Sequence, residues 1–240
     1  MIEAIDLSKR YPNGKLALDA LNLRVEPGEI YCLLGPKGAG KTTVINLFLG
    51  LTEPTAGRAL INGADVATDP LQARRLLAFL AEGTIFYDRL SVRKNLEFFT
   101  RVGGGPRMTR DDYEMILREV GLPEESFDQK VMDFGPGAIR KLGLAVVLAK
   151  DAPALLLDEP FSGVDPKAAA ELVEIIERLR DRGKALLVTL QELIWVRQLA
   201  DRAGFLQEGR QVLARTREEL RYEDLERLYL DYTRGGLIAR

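Results

Sequence analysis

The stretch Gly35–Thr42, with the sequence GPKGAGKT, says the most about the fold of this 240-residue chain. It begins at the end of a short apolar run, Glu29–Gly35 (EIYCLLG), which has the length and composition of a buried parallel strand. It continues into TVINLFLGL, residues 43–51, which has the pattern of a helix. A glycine-rich turn between a buried strand and a helix predicts a parallel α/β sheet.

The same stretch matches the pattern G-x-x-x-x-G-K-[ST] at every fixed position. Its glycines let backbone N–H groups turn inward around phosphates, Lys41 can reach the β- and γ-phosphate oxygens, and the Thr42 hydroxyl can ligate Mg²⁺. A plain glycine-rich turn is the alternative, but the flanking strand and helix are those that a phosphate-binding loop needs. We therefore predict ATP contacts along the whole loop: Gly35, Pro36, Lys37, Gly38, Ala39, Gly40, Lys41, Thr42 and Thr43.

An acidic pair follows a second apolar run, ALLLDEP at Ala154–Pro160. Asp158, at the end of the predicted strand, is placed to help hold Mg²⁺ through water, as the acidic element of P-loop NTPases does. Glu159 would then face the space beyond the γ-phosphate and is our candidate general base for water. The alternative is a strand-end acidic pair that only caps the next turn.

The rest of the chain fits one α/β domain spanning residues 1–240. A third buried strand is predicted at Lys184–Leu190 (KALLVTL), and a helix precedes it, with Asp165 as N-cap and Gly183 after its end. Residues 88–149 have helical patterns without a convincing strand, which predicts an inserted helical subdomain. Residues 1–87 and 150–216 form the predicted sheet core, and residues 217–240 a terminal helix and tail.

Composition excludes several classes of function. The net charge of −2 argues against a nucleic-acid-binding surface, which usually has a strong basic excess. The N-terminal sequence lacks the apolar stretch of a signal peptide, and no apolar run has the length of a membrane span. The single cysteine, Cys32, excludes an internal disulfide. We therefore expect a cytoplasmic protein that does not bind nucleic acid.

These motifs, in this order, resemble the nucleotide-binding subunit of ATP-binding cassette (ABC) transporters, closest to export-type systems, over almost the whole chain. The resemblance implies a P-loop NTPase core, in which N-terminal antiparallel strands accompany a RecA-like parallel sheet, with an inserted helical subdomain. It also implies ATP and Mg²⁺ as cofactors and a peripheral position on the cytoplasmic face of the cell membrane. The implied partners are a multi-span permease and a second cassette.

The resemblance adds roles for three further regions. Tyr11 matches the aromatic residue that stacks on adenine, although it could equally be a packing residue. Ser162–Pro166 (SGVDP) matches the loop that crosses the dimer interface, with Asp165 at its centre. Leu80–Phe99 matches the segment that receives the permease's coupling helix.

The chain departs from the family's signature motif, LSGGQ, at the stretch Phe134–Ala138. Gly135 replaces the serine, Pro136 the first glycine and Ala138 the glutamine, while Gly137 is kept as a predicted ATP contact. In the family the signature donates a hydroxyl and backbone N–H groups to the γ-phosphate on the partner cassette. Here the hydroxyl is missing and proline removes one N–H, although proline suits the start of a helix. Each lost bond to a charged group is worth about 1.5–3 kcal/mol.

Two single positions also depart from the family pattern. Gln191 stands in place of the histidine that follows the last core strand, and Glu82 in place of the glutamine that senses Mg²⁺ and water. We retain Gln191 as a catalytic residue beside Glu159, and Glu82 as a ligand of Mg²⁺ and nucleotide beside Thr42 and Asp158.

Two interpretations follow, and a third is disfavoured. The first is an ATPase subunit with reduced intrinsic activity that powers a separately encoded permease. The second is a degenerate, largely non-hydrolytic ATP-binding regulatory subunit of a heterodimeric transporter. A heterodimer is favoured over a homodimer, because a partner's complete signature would complete the site that contains Glu159. A soluble ABC protein acting on DNA or ribosomes is disfavoured, since the chain has one cassette and no basic surplus.

Overall fold

Ten strands and eight α-helices lie within residues 1–222, the part of the chain that the computed structural model describes. The strands are β1 (Ile2–Arg10), β2 (Leu16–Val25), β3 (Glu29–Leu34), β4 (Ala56–Ile61), β5 (Ala64–Asp65), β6 (Leu77–Leu80), β7 (Ala154–Asp158), β8 (Ala185–Leu190), β9 (Arg202–Gln207) and β10 (Arg210–Thr216). The helices are α1 (Lys41–Phe48), α2 (Pro70–Arg75), α3 (Val92–Val102), α4 (Arg110–Glu119), α5 (Pro136–Lys150), α6 (Pro166–Asp181), α7 (Leu193–Leu199) and α8 (Arg217–Tyr222).

The strands form two sheets of different character. One sheet has the order β10-β9-β3-β8-β7-β6, with all neighbours parallel except β10, which pairs antiparallel with β9. The other has the order β2-β1-β4-β5 and is antiparallel throughout. The predicted α/β class, with a parallel core sheet and N-terminal antiparallel strands, is confirmed, as are the three predicted buried strands.

The parallel sheet is buried on both faces, and each face has its own hydrophobic core. Along β3, Ile30, Cys32 and Leu34 face the core that includes α5 and α6. The alternate residues Tyr31 and Leu33 face the core that includes α1 and the antiparallel strands. Because side chains alternate across a strand, a continuous apolar run such as EIYCLL fills both layers at once.

The segment 88–149, all of it within the described residues, contains α3, α4 and most of α5, and an isolated Ser91–Lys130 bridge but no strand. Helix α5 contacts α3 and α4 as well as α6 and β6. Its approach to the sheet is close, since a Cβ on Gly143 would lie 2.4 Å from Leu80 Cδ1. The division of the chain into a sheet core and a helical subdomain stays a prediction, with α5 contacting both parts.

The two helix starts that matter for function are as predicted. The Asp165 carboxylate accepts hydrogen bonds from the backbone N–H groups of Lys167 and Ala168, and Pro166 occupies the first turn of α6. Pro136 begins α5, and Gly135 stands before it in extended conformation.

Of the predicted terminal helix, only Arg217–Tyr222 lies within the described residues. Among those residues, no helix is long and apolar enough to cross a membrane.

Candidate nucleotide site

The candidate site lies at the carboxyl ends of β3, β7 and β8, where neighbouring parallel strands finish at the same edge of the sheet. Backbone hydrogen bonds hold the three ends together: Gly35 N–H donates to the Leu190 carbonyl at 3.2 Å, and Glu159 N–H donates to the Thr189 carbonyl at 3.2 Å. The loop after β3 and the acidic pair at the end of β7 are therefore held together by β8. Such an edge is where open α/β sheets bind their ligands.

The loop conformation explains why glycine is needed at two of its positions. Gly40 has φ of 116°, and a Cβ there would lie 2.6 Å from the Ala17 carbonyl oxygen. A Cβ on Gly35 would lie 2.5 Å from the carbonyl oxygen of Leu206. The loop is thus pressed against backbone on two sides, and helix α1 begins at Lys41 directly after it. A side chain at Gly35 or Gly40 would therefore collide with backbone, so the close packing of the loop requires glycine at both positions.

Lys41 is buried and folded back onto its own loop. Its Nζ donates to the Gly35 carbonyl at 2.5 Å and lies 3.4 Å from Glu159 Oε1. The side chains of Lys41 and Glu159 are 7% and 9% exposed, respectively. The cation predicted to bind phosphate and the carboxylate predicted to activate water are therefore partners within one chain.

The Glu159 side chain is aimed into the site by an unusual backbone conformation. Its φ is +47°, in the left-handed region that non-glycine residues rarely occupy. Oε2 accepts a hydrogen bond from the Gln191 backbone N–H at 3.1 Å, while the buried Oε1 has the Lys41 ion pair but no hydrogen-bond partner within residues 1–222. Burial raises the pKa of the Glu159 carboxyl, and the Lys41 charge opposes that rise. A backbone outlier and a raised pKa at one carboxylate are typical of functional sites.

Asp158 lies beside Glu159 and is held by Thr189 of β8. The Thr189 hydroxyl, which is fully buried, donates to Asp158 Oδ1, and the two residues are partners in the parallel register of β7 and β8. Burial raises the pKa of Asp158, Glu82 adds to the rise, and the Thr189 bond, Lys41 and Arg140 oppose it. Sequence reasoning missed Thr189, because its partnership with Asp158 depends on the register of β7 and β8, which the two separate strand patterns do not specify.

The other predicted site residues lie around this centre. The Tyr11 hydroxyl is 3.5 Å from Thr43 Oγ1, which brings its ring to the start of α1. Glu82 is exposed and its Oε1 is 3.4 Å from the Ser162 hydroxyl. The Gln191 side chain is exposed, and the hydrogen bond to Glu159 comes from its backbone. The roles of Tyr11, Glu82 and Gln191 stay predictions.

Gly137 has a structural reason to be glycine. A Cβ at this position would lie 2.6 Å from the Ala168 Cβ and 3.8 Å from Asp165 Oδ2, because the first turns of α5 and α6 pack against each other. Gly135 differs, since a Cβ there would meet no atom within 4 Å among the described residues. Gly137 is thus required by packing whether or not it contacts ATP, which stays a prediction.

Two further features of the site were absent from the sequence-based assignment. Arg140, one turn after Gly137 on α5, is 8% exposed and donates from Nη1 to the Ala81 carbonyl at 2.8 Å. In the sequence Arg140 and Lys141 are the two charged residues of the stretch GAIRKLGLA, and their pattern does not indicate which of them is buried. The second feature is a ring pair, in which Phe161 and Trp195 stack with centroids 4.5 Å apart. This stack connects α7 to the loop that follows Glu159.

Comparison with known proteins identifies the family. The family model described as "ABC transporter" matches residues 18–162 of this chain. The chain belongs to the ABC transporter family. It carries the ATP-binding part of such a transporter, and the family's activity is ATP hydrolysis coupled to transport.

Relatives and solved structures agree with this assignment. The chain is 36% identical over 216 residues to a daunorubicin resistance ATP-binding protein of Streptomyces coeruleorubidus, covering 90% of this chain and 68% of that protein. It is 35% identical to Nod factor export ATP-binding protein I of Burkholderia lata, covering 88% of this chain and 69% of that protein. A solved ATP-binding subunit of an ABC transporter is similar with a TM-score of 0.83 at 29% identity, covering 97% of this chain and 99% of that one.

The side chains at the site fit Mg²⁺ held together with a nucleotide. Thr42, Asp158 and Glu82 offer hard oxygen ligands, and among the described residues Glu159 Oε1 is contacted by the Lys41 cation but accepts no hydrogen bond. Within residues 1–222 no group of three or more His, Cys, Asp or Glu side chains is arranged to hold a metal by itself. Mg²⁺ usually takes one or two carboxylates and completes its shell with phosphate and water.

Proposed function

We propose that this chain hydrolyses ATP to power a separately encoded multi-span permease, from the cytoplasmic face of the cell membrane. The observation that carries the proposal is the pairing of Lys41 with Glu159 at 3.4 Å, directly beside the glycine-rich loop. A phosphate-binding cation and a carboxylate of raised pKa at one sheet edge are what phosphoryl transfer to water requires. The name of one relative, Nod factor export ATP-binding protein I, favours an export-type transporter.

Each group of site residues has a separate role in the proposed ATP hydrolysis. The loop amides and Lys41 would hold the phosphates, Tyr11 the adenine, and Thr42, Asp158 and Glu82 the Mg²⁺, which would neutralise developing charge on the phosphates. Once phosphate draws Lys41 away, Glu159 loses its internal cation and becomes a stronger base. The Gln191 N–H then keeps the Glu159 carboxylate oriented. Before nucleotide binds, the ion pair with Lys41 would thereby keep Glu159 from acting as a base on water.

Nucleotide binding and hydrolysis are tested separately. Calorimetry should show ATP binding to the purified chain and none to Lys41→Ala, while the exposed control Lys94→Ala on α3 binds normally. Single-turnover hydrolysis in a dimer with the cognate cassette should be lost in Glu159→Gln. The matched control Glu192→Gln removes an exposed carboxylate close to Gln191 and should hydrolyse normally. Unchanged turnover in Glu159→Gln would overturn the assignment of the base.

The second candidate function is a largely non-hydrolytic regulatory subunit, and the start of α5 favours it. Pro136 lacks an N–H, and Gly135 before it has no hydroxyl to donate. A partner's ATP would thus meet fewer donors than a complete signature supplies. We infer a heterodimer, in which this chain's loop and Glu159 face a partner's complete signature. Equal and fast hydrolysis at both sites of a homodimer would contradict that inference.

A further inference from the structure

The stacked rings of Phe161 and Trp195 join two segments that also meet at the Glu159 carboxylate. The ring centroids are 4.5 Å apart and the ring planes are 25° from parallel, an arrangement in which aromatic pairs attract each other. On one segment, Phe161 lies two residues after Glu159. On the other, Trp195 lies four residues after Gln191, whose backbone N–H donates to Glu159 Oε2 at 3.1 Å. The two segments are therefore joined at two points, by a hydrogen bond and by a ring contact.

The segment from Glu159 to Phe161 is short and stiff. The Ser162 N–H donates to the Glu159 carbonyl at 3.1 Å, which closes a turn of four residues. Pro160 is the second residue of that turn, and its ring fixes its own φ. Phe161 is buried, and the Glu159 N–H donates to the Thr189 carbonyl. Because the turn has little freedom, a displacement of the Phe161 ring also displaces Glu159.

The segment from Gln191 to Trp195 depends on packing for its position. It leads into α7, which has seven residues, and a helix of this length is not stable by itself in water. Val196 and Leu199 are fully buried and hold one side of α7 on the core. Trp195 is partly buried, and its stack on Phe161 joins the helix to the turn that begins at the carboxylate. The stack therefore helps to set how closely the Gln191 N–H approaches that carboxylate.

We propose that Trp195 is a positioning residue: through its stack on Phe161 it keeps the Gln191 N–H bonded to the Glu159 carboxylate and so orients that carboxylate. The proposal rests on the proposed function, since it concerns the carboxylate assigned there as the base for water. With Oε2 occupied by the N–H, Oε1 stays directed toward Lys41 and the phosphate-binding loop. Loss of the stack lets the carboxylate turn, which slows hydrolysis but leaves the phosphate contacts of the loop unchanged.

Single-turnover hydrolysis in a dimer with the cognate cassette, together with calorimetry of ATP binding, tests the proposal. Trp195→Ala should slow hydrolysis about three- to tenfold, the rate equivalent of one aromatic pair, while ATP affinity stays within about twofold of wild type. Trp195→Phe keeps a ring for the stack and should retain most of the rate. The matched control Ile194→Ala removes an exposed apolar side chain next to Trp195 and should change neither quantity.

Hydrogen exchange of single backbone amides, followed by NMR in the nucleotide-free chain, gives a readout that does not depend on hydrolysis. Trp195→Ala should speed exchange of the Gln191 amide about three- to tenfold, because the local opening that frees this N–H becomes easier. The amide of Val188, which lies in β8 between β3 and β7, should exchange as in wild type. Trp195→Phe and Ile194→Ala should leave both amides unchanged.

A purely structural role for Trp195 gives a different pattern, in which the Val188 and Gln191 amides exchange faster together. That result overturns the proposal, as do a wild-type hydrolysis rate or wild-type Gln191 exchange in Trp195→Ala, or an equal loss in Trp195→Ala and Trp195→Phe. If Trp195→Ala does not fold, Phe161→Leu decides, since it fills the buried position without a ring. It should slow hydrolysis and speed Gln191 exchange alone, and wild-type behaviour overturns the proposal.

Failure of the proposed function is distinguishable from failure of this inference. Glu159→Gln would then hydrolyse ATP at the wild-type rate, which removes the carboxylate from its assigned role as base. The exchange of the Gln191 amide would still decide whether the ring stack holds the N–H on Glu159, because that measurement needs neither nucleotide nor a partner cassette.

Discussion

Replacing Lys41 by alanine should destabilise the folded protein as well as abolish ATP binding. Lys41 and Glu159 form an ion pair whose side chains are 7% and 9% exposed. Removal of one partner from such a pair leaves a buried carboxylate without its cation, which costs about 3 kcal/mol. For a chain of this size, each kcal/mol of lost stability lowers the melting temperature by about 2–4 °C. We therefore expect the nucleotide-free variant to melt about 6–12 °C below wild type.

The loss of stability in Lys41→Ala should be larger at high pH than at low pH. Burial already raises the pKa of Glu159 above its ordinary value of 4.5, and loss of Lys41 raises it further. A carboxyl whose pKa is raised by folding binds more protons in the folded state, so stability falls as pH rises through that pKa. The destabilisation by Lys41→Ala should therefore be small near about pH 5, where Glu159 can take a proton, and largest near about pH 8.

Denaturant unfolding at both pH values, without nucleotide, measures the effect. The double variant Lys41→Ala with Glu159→Gln removes both charges and should regain most of the lost stability, about 2 kcal/mol, without regaining ATP binding. Lys37→Ala is the stability control, since Lys37 is exposed on the same loop and should change stability by less than about 0.5 kcal/mol. Wild-type stability in Lys41→Ala, or a loss that is equal at both pH values, would refute the reasoning.

Three further predictions concern the start of α5 and Gln191. Gly135→Ser with Pro136→Gly should strengthen ATP-driven dimerisation, measured by light scattering, and unchanged association would contradict this. The cost in stability should be small, because a Cβ at Gly135 meets no described atom within 4 Å. Gly137→Ala should lose about 1–3 kcal/mol in denaturant unfolding, since its Cβ would lie 2.6 Å from that of Ala168, and Ala168→Gly should recover part of the loss. Gln191→His should speed steady-state hydrolysis by supplying a group that can exchange protons, and an unchanged rate would argue against a role for that side chain.

Much of the fold could be predicted from the sequence because its signals are contiguous. The loop between β3 and α1, the acidic pair that ends β7 and the Asp165 cap of α6 are each encoded within a few neighbouring residues. Their physics is local, since caps, glycine turns and apolar runs depend on adjacent backbone. The site centre was predictable for the same reason, since parallel strands end at one edge.

The contacts that the sequence did not reveal join distant segments. The packing of Gly137 on Ala168 depends on how two helices meet, which no pattern along either helix specifies. The Lys41–Glu159 pair and the burial of Arg140 arise only when separate strands and a helix come together. Residue types therefore indicate which chemistry is available, while the partner of each side chain depends on how the elements pack.

The stack of Trp195 on Phe161 gives the protein an optical reporter of its own. Trp195 is the only tryptophan in the sequence, so tryptophan emission comes from a single place. That place is α7, whose ring partner lies two residues after Glu159. A nucleotide or a neighbouring subunit that displaces this loop changes the environment of the indole. Events beside Glu159 can thus be followed by fluorescence in the unlabelled chain, without a dye or an added residue.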